Sequence, residues 1–192
     1  MFERICVTAD WCSRQILEAS LELAVEIARE GREGRRIGTL FTLGFADAVL
    51  LHSRPLILDP VALHPAEARH ITNSNLRGTI KELAQLDGAF VVDDQGTFVA
   101  ACRYLDTLAK DIEVPLGLGS RHLAAASISR ETGAIAIAVS ESAIVRVFQD
   151  GVLDAEVLPE LWLLSRYSLR LKGDIRQDNI QDLSIFTKNS VS

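Results

Sequence analysis

The spacing of apolar residues near the start of the chain predicts a helix with one buried face. In SRQILEASLELAVEIAREG, apolar side chains return every three or four residues, which is the helical period. Ser13 is suited to begin the helix and Gly31 to end it. We therefore predict a helix over residues 13–31 that packs on the core.

The following hundred or so residues carry shorter patterns. RRIGTLFTLG (35–44) predicts a buried strand, and RPLILDP (54–60) predicts a short extended segment between prolines. Two short helical patterns follow within residues 64–86, the first opening at Pro65 and the second with Ser74 as its candidate cap. GAFVVDDQGTFVAACRYL (88–105) predicts an antiparallel hairpin that turns at residues 93–96.

The remaining patterns complete a mixed fold. A helix is predicted after GLGSRH, and strands are predicted in AIAIAVS (134–140), AIVRVFQDG (143–151) and VLDAEVL (152–158). PELWLLSRYSLRLK (159–172) returns to a helical period. This order predicts an α/β fold with a mixed, largely antiparallel central sheet flanked by helices.

Composition limits the class of protein. A chain of 192 residues with 48% hydrophobic and 24% charged residues is predicted to form one globular domain, residues 1–172, followed by a polar tail, 173–192, that we expect to be disordered. Three cysteines without metal-ligand spacing argue against a disulfide framework or a zinc site and favour the cytoplasm.

Charge and hydropathy exclude two kinds of partner. A net charge of −6 argues against an extended surface for nucleic acid, which requires clustered Lys and Arg. No segment approaches the roughly 20 apolar residues that cross a bilayer, so we expect no membrane anchor. An anionic ligand must therefore be bound by a local group of residues.

Two short motifs carry candidate chemistry. In LDGAF, Asp87 lies where a helix ends and a strand begins, although Asp-Gly is also a common turn pair. In GLGSRH, two glycines and Ser120 open a helix whose positive end favours anions, and Arg121 adds a guanidinium suited to phosphate. The alternative interpretation is an ordinary Ser120 N-cap followed by a solvated arginine and a packed His122.

The two motifs together indicate one type of reaction. If both lie at one edge of the sheet, a carboxylate faces a phosphate-binding loop, as phosphoryl or nucleotidyl transfer requires. The available ligands are hard oxygens, which favour Mg²⁺ or Mn²⁺ over zinc.

The motifs in their context resemble a known family. LDGAFVVDDQGTFVAACRYL, followed by GLGSRHLAAASISRETGAIAIAVSES, is similar to the diadenylate cyclase domain, in its soluble archaeal-type branch, over about residues 36–150. Most members have Thr-Arg-His-Arg where this chain has Ser120, Arg121, His122 and Leu123, so one arginine is replaced.

The resemblance implies an enzyme that condenses two ATP into cyclic di-AMP and two pyrophosphates. It implies a homo-oligomer with active sites face to face and a Mg²⁺ or Mn²⁺ cofactor. Asp87 would hold the metal and help deprotonate the ribose 3′-hydroxyl, with Arg121 and His122 as the other catalytic residues. The residues implied to bind the nucleotide are Gly88, Ala89, Leu105, Gly119, Ser120, Ser140 and Glu141.

Two other functions remain open at this point. One is a non-catalytic adenine-nucleotide-binding module with the same fold, favoured by the replaced arginine; the other is a scaffold domain in which the motifs are ordinary turns. The histidines outside GLGSRH are expected to be surface or capping residues, and the large aromatic residues of the helical patterns to serve packing or interfaces. These residues are His52, His64, His70, Trp11, Trp162 and Tyr167.

Overall fold

The chain divides into two compact units, Met1–Pro159 and Glu160–Ser192. The computed structural model describes residues 11–32, 34–106, 112, 114–161, 175–180 and 183–188. The first unit ends at Pro159, whereas the sequence pattern predicted a single domain over residues 1–172.

The first unit is built on a seven-stranded sheet. Its strands are β1 (Thr39–Leu43), β2 (Ser53–Pro55), β3 (Ala89–Val92), β4 (Phe98–Leu105), β5 (Ile135–Val139), β6 (Val145–Gln149) and β7 (Val152–Val157). Their order is β2-β4-β3-β1-β5-β6-β7. The pair β1–β3 is parallel and the other neighbours are antiparallel, which confirms the predicted mixed, largely antiparallel α/β fold.

Helices accompany this sheet in the described part of the first unit. They are α1 (Arg14–Glu30), α2 (Ala46–Leu51), a 3₁₀ turn (Ala66–Arg69), α3 (Ser74–Leu83) and α4 (Ser120–Thr132). Every residue of β5 is buried, so both faces of the sheet are covered there, and α1 and α4 both contact this strand. The predicted N-terminal helix is confirmed, with Ser13 before it and Gly31 ending it.

The predicted hairpin forms from β3 and β4. Oδ1 of Asp93 accepts hydrogen bonds from the backbone N–H groups of Gln95, at 3.0 Å, and Thr97, at 2.7 Å. Gly96 completes the turn with a φ of 87°, which glycine adopts without strain. The turn that the residues DDQG predicted is therefore confirmed.

The segment between β2 and β3 differs from the prediction. The pattern opening at Pro65 forms one 3₁₀ turn, because at His70 the chain becomes extended and pairs with Thr97. The next helix is capped by Asn73 rather than by Ser74: the Asn73 side chain accepts from the N–H groups of Asn75 and Leu76. Helix α2 was not predicted, since its six residues are too few to show a period.

The second unit contains a pair of antiparallel strands, β8 (Ile175–Ile180) and β9 (Leu183–Lys188). These residues lie in the tail that we expected to be disordered. The polar composition of the tail did not predict strands. Backbone pairing in a two-stranded ribbon does not require a strong apolar pattern. The predicted helix over 159–172 lies mostly outside the described residues, as do Trp162 and Tyr167; residues 159–161 are helical.

Candidate functional site

A cavity of about 510 Å³ lies between the residues that lead into β3 and the first turn of α4. It brings together six of the residues singled out in the sequence, namely Asp87, Gly88, Ala89, Leu105, Ser120 and Arg121. The two motifs are therefore neighbours in space, although about thirty residues separate them along the chain.

Asp87 reaches the cavity through a sharp turn after α3. It is exposed, and Gly88 follows it with a φ of 103°. A Cβ on Gly88 would lie 2.6 Å from the carbonyl carbon of Cys102 and 2.7 Å from the nitrogen of Arg103. These atoms belong to an irregular stretch of β4 where Cys102 has a φ of 54°. The neighbouring strand thus requires glycine at position 88, and the implied contact of Gly88 with the nucleotide remains a prediction.

Helix α4 begins at the opposite wall of the cavity. Its N-cap is Gly119, and Ser120 is the first helical residue, so the interpretation of Ser120 as an ordinary N-cap is wrong. The N–H groups of His122 and Leu123 both donate to the Gly119 carbonyl, at 3.0 and 3.3 Å. A helix leaves the N–H groups at its start without intrahelical acceptors and carries a positive partial charge there. Ser120 and Arg121 line the cavity at this positive end.

The rest of the wall is mainly apolar. It includes Leu40, Leu56, Tyr104, Leu123 and Ala124 in addition to Leu105. Tyr104 is held by a stacked guanidinium: Cζ of Arg54 lies 4.5 Å from the ring centroid, and Nε of Arg54 lies 3.3 Å from a carboxylate oxygen of Asp106. The cavity thus combines a cationic end with an apolar wall that suits a planar ring.

Tyr104 and Arg103 line the cavity although the sequence did not predict them there. The position of Tyr104 next to Leu105 could have indicated it, although alternation along a strand would place it on the other face. Arg103 lines the cavity too, but its guanidinium donates to the Ser53 side chain at 3.1 Å and to the carbonyls of Leu50 and Ser53 at 3.2 and 2.8 Å. Arg103 therefore ties β4 to the α2–β2 segment.

His122 turns away from the residues that line the cavity. It is 6% exposed, and its Nε2 lies 3.2 Å from Nη1 of Arg146. A guanidinium only donates, so Nε2 accepts and the ring proton resides on Nδ1. Nδ1 is buried and has no hydrogen-bond partner among the described residues. Burial, followed by the positive charges of Arg146 and Arg121, lowers the pKa of His122, and Glu156 opposes them weakly.

The buried Arg146 joins several elements in one cluster. Its Nε donates to a carboxylate oxygen of Glu156 at 2.6 Å, and its Nη1 donates to the Ser140 hydroxyl at 3.4 Å. Ser140 also lies 2.7 Å from the hydroxyl of Ser142. Ser140 is buried, Glu141 is exposed, and neither lines the cavity, nor does Gly119. Their implied contacts with the nucleotide remain predictions.

The side chains that line the cavity could hold a metal ion only if the substrate supplies further ligands to the same ion. Among the described residues, no group of three or more His, Cys, Asp or Glu side chains is arranged to hold an ion. Asp87 supplies one carboxylate to the cavity. Mg²⁺ characteristically binds one or two carboxylates and completes its shell with phosphates and water, and Mn²⁺ also accepts oxygen ligands. The residues present therefore fit such an ion on a triphosphate and do not form a cage of their own.

Three of the other residues considered in the sequence have structural contacts. Nδ1 of His52 lies 3.4 Å from Glu131, and the ring of His70 bonds to Thr72 and to the carbonyl of Gln95. Trp11 packs edge-on against Phe45, with 5.0 Å between the ring centroids. No helix of the described residues is both long enough and apolar enough to span a bilayer.

Comparison with known proteins identifies the family. Residues 26–153 match the family model described as DAC, "DisA bacterial checkpoint controller nucleotide-binding". A protein of Methanocaldococcus jannaschii named "Diadenylate cyclase" is 48% identical over 158 residues, which is 82% of this chain and 50% of that protein. A protein of Haloferax volcanii with the same name is 38% identical over 150 residues, or 77% of this chain and 54% of that protein. The chain thus spans about half the length of these relatives.

One similar solved structure is DacA from Staphylococcus aureus. It is 21% identical, covers 79% of this chain and 94% of its own, and has a TM-score of 0.49. The match to the family model covers most of the first unit, including both motifs that line the cavity. The chain therefore belongs to the DAC family of DisA-type nucleotide-binding domains.

Proposed function

We propose that the chain is a diadenylate cyclase, a nucleotidyltransferase that condenses two ATP into cyclic di-AMP and two pyrophosphates. The single observation that carries the proposal is the cavity in which Asp87 and Arg121 face the same space. The names of the two archaeal relatives support it. Cys102 is a buried cysteine outside any disulfide, which suits a reducing compartment, so the proposed location is the cytoplasm.

ATP would lie across the cavity between its apolar and cationic ends. Leu105 and Tyr104 would border the adenine, and Arg121 with the N-terminus of α4 would bind the phosphates. The Nδ1–H of His122 is buried and has no hydrogen-bond partner among the described residues, and His122 does not line the cavity, so it would act by supporting the first turn of α4. Ser140 would act through Arg146, to which it is bonded.

The reaction forms one bond and breaks one bond at each α-phosphorus. The ribose 3′-oxygen of one ATP attacks the α-phosphorus of the other, pyrophosphate leaves, and the hydroxyl proton passes to the Asp87 carboxylate and from there to solvent. A carboxylate is a weak base toward an alcohol, so Asp87 must both orient the hydroxyl and hold a metal. When bound, Mg²⁺ or Mn²⁺ would acidify the hydroxyl and neutralise charge on the phosphates. Arg121 would stabilise the negative charge that remains on the phosphate oxygens.

Two protomers are needed for a cyclic product. The cavity of one chain contains a single Asp87 and a single α4 N-terminus, which suffice for one ATP. Cyclic di-AMP is two-fold symmetric, so a C₂ pair with cavities face to face supplies both bases and both phosphate sites. We therefore propose a homo-oligomer whose active form contains this pair.

One residue favours a second candidate function. Leu123 lines the cavity at the position where the family resemblance has an arginine. A chain that had lost turnover would remain an adenine-nucleotide-binding module with the same fold. Such a module would bind ATP and release it unchanged.

Product analysis distinguishes the two functions. Purified protein is incubated with ATP and either Mg²⁺ or Mn²⁺, and the nucleotides are separated by chromatography. The proposal predicts cyclic di-AMP with at least one of the two metals and none when the metal is chelated. Binding of ATP without any cyclic product under all conditions would leave only the binding module.

A further inference from the structure

Gly38 lies immediately before β1, beside the cavity. Its φ lies outside the left-handed region, so the backbone conformation does not require glycine there. Leu40, two residues later, lines the cavity. The absence of a side chain at position 38 therefore needs a different explanation.

The explanation lies in the guanidinium of Arg121. A Cβ on Gly38 would lie 2.6 Å from Cζ and 3.0 Å from Nη2 of Arg121, and closer still to Nη1. The three nearest atoms to that position all belong to this guanidinium. The end of the Arg121 side chain thus occupies the volume that any side chain at position 38 would need.

From this contact we propose that Gly38 is a positioning residue for the phosphate-binding Arg121. Its bare backbone allows the guanidinium to lie close beside β1 at the cationic end of the cavity. A methyl group at position 38 would displace the guanidinium, because an arginine side chain moves more easily than a strand of the sheet. The inference rests on the proposed function for the role of Arg121, and it adds a residue that touches no substrate.

The contrast with Gly88 makes the proposal specific. At Gly88 the atoms in conflict are backbone atoms of β4, which cannot move without disturbing the sheet. At Gly38 the nearest atoms are the far end of a flexible side chain. Substitution of Gly38 should therefore alter nucleotide binding and leave the stability of the fold nearly unchanged.

The test is a double-mutant cycle on Gly38→Ala and Arg121→Ala, with Gly78→Ala as the matched control. Gly78 lies on α3 and outside the cavity lining, and a Cβ added there would have no described atom within 4 Å beyond its own neighbours and helix backbone. The KM for ATP and the kcat of cyclic product formation are measured for each variant. The dissociation constant for ATP is measured in an Asp87→Asn background, where turnover does not interfere.

We expect Gly38→Ala to raise both the KM and the dissociation constant about threefold to tenfold, with a smaller effect on kcat. In the Arg121→Ala background the same substitution should change neither constant, because the group it displaces is gone. Gly78→Ala should match the parent protein. Unchanged ATP binding in Gly38→Ala, an equal effect in both backgrounds, or a large loss of thermal stability would overturn the proposal.

The two proposals fail in different ways. A wild-type protein that binds ATP but makes no cyclic di-AMP refutes the proposed enzymatic function, and the dissociation constants still decide the role of Gly38. Normal cyclic product with no change in KM for Gly38→Ala refutes only the role of Gly38.

Discussion

Nη1 of Arg146 lies 3.2 Å from Nε2 of His122, in a cluster where Arg146 also holds Glu156 and Ser140. The contact joins α4 to β6 and, through Glu156, to β7. Because the arginine only donates, it keeps His122 neutral with its proton on Nδ1. The contact with Arg146 thereby fixes the first turn of α4, which places Arg121 at the cavity, against β6.

Protonation of His122 should destabilise the fold. Burial and two arginines lower its pKa below the ordinary 6.5, so the unfolded chain binds a proton that the folded chain resists. The destabilisation is absent above about pH 6.5 and grows as the pH falls toward the lowered pKa of the folded state. Urea unfolding at pH 7.5 and 5.5 should show a larger loss of stability for the wild type than for His122→Gln. Equal losses would contradict this account of the cluster.

Replacement of Gly88 should destabilise the first unit. A Cβ there meets the backbone of Cys102 and Arg103, and a φ of 103° is strained for any other residue. We expect Gly88→Ala to lower the free energy of unfolding by more than about 1 kcal/mol. The control is Gly78→Ala, in an exposed part of α3, which should raise it by about 0.5–1 kcal/mol. Denaturant unfolding of both variants tests the prediction, and a Gly88→Ala protein as stable as the wild type would refute it.

Loss of Arg121 should weaken the binding of ATP. The guanidinium is charged in the ground state as well as in the transition state, so its removal acts on the triphosphate before chemistry begins. Arg121→Ala should raise the KM for ATP about tenfold or more. Arg130→Ala is the control, because Arg130 lies in the last turn of the same helix and beside Gly151. If KM and kcat both stay at wild-type values, Arg121 is only a solvated first-turn residue.

Catalysis should depend on the association of two chains. Specific activity is expected to fall on dilution into the range where the facing pair dissociates, as light scattering would report. Mixed dimers with one Asp87→Asn chain should form the first bond and release a linear dinucleotide. Constant activity per chain in demonstrably monomeric protein would contradict the facing pair, and so would cyclic product at full rate from mixed dimers.

The sequence predicted those parts of the fold whose signals are local. The hairpin of β3 and β4 follows from the turn residues DDQG, and α1 from a long apolar period. The pairing of the two motifs around one cavity was anticipated because each precedes a core element. The distinction between Asn73 and Ser74 as caps was not, since adjacent residues of similar chemistry compete for one position.

The contacts between distant residues could not be predicted in the same way. His122 and Arg146 are 24 positions apart, and their contact depends on how α4 packs on the sheet. The requirement for glycine at position 88 depends on an irregularity in the neighbouring strand, and its local sequence also fits an ordinary turn. The His122–Arg146 contact thus depends on the packing of α4, and the requirement for glycine at position 88 depends on the register of β4; neither can be read from the motifs alone.

The most direct test of the proposed activity is the stoichiometry of products from ATP in the wild type and in Asp87→Asn. Asparagine keeps the size of the side chain but loses the charge that orients the hydroxyl and holds a metal. The wild type should release two pyrophosphates for each cyclic di-AMP, and Asp87→Asn should bind ATP, keep the wild-type melting temperature and make neither product. Near-wild-type turnover in Asp87→Asn, or pyrophosphate release without cyclic di-AMP, would contradict the account.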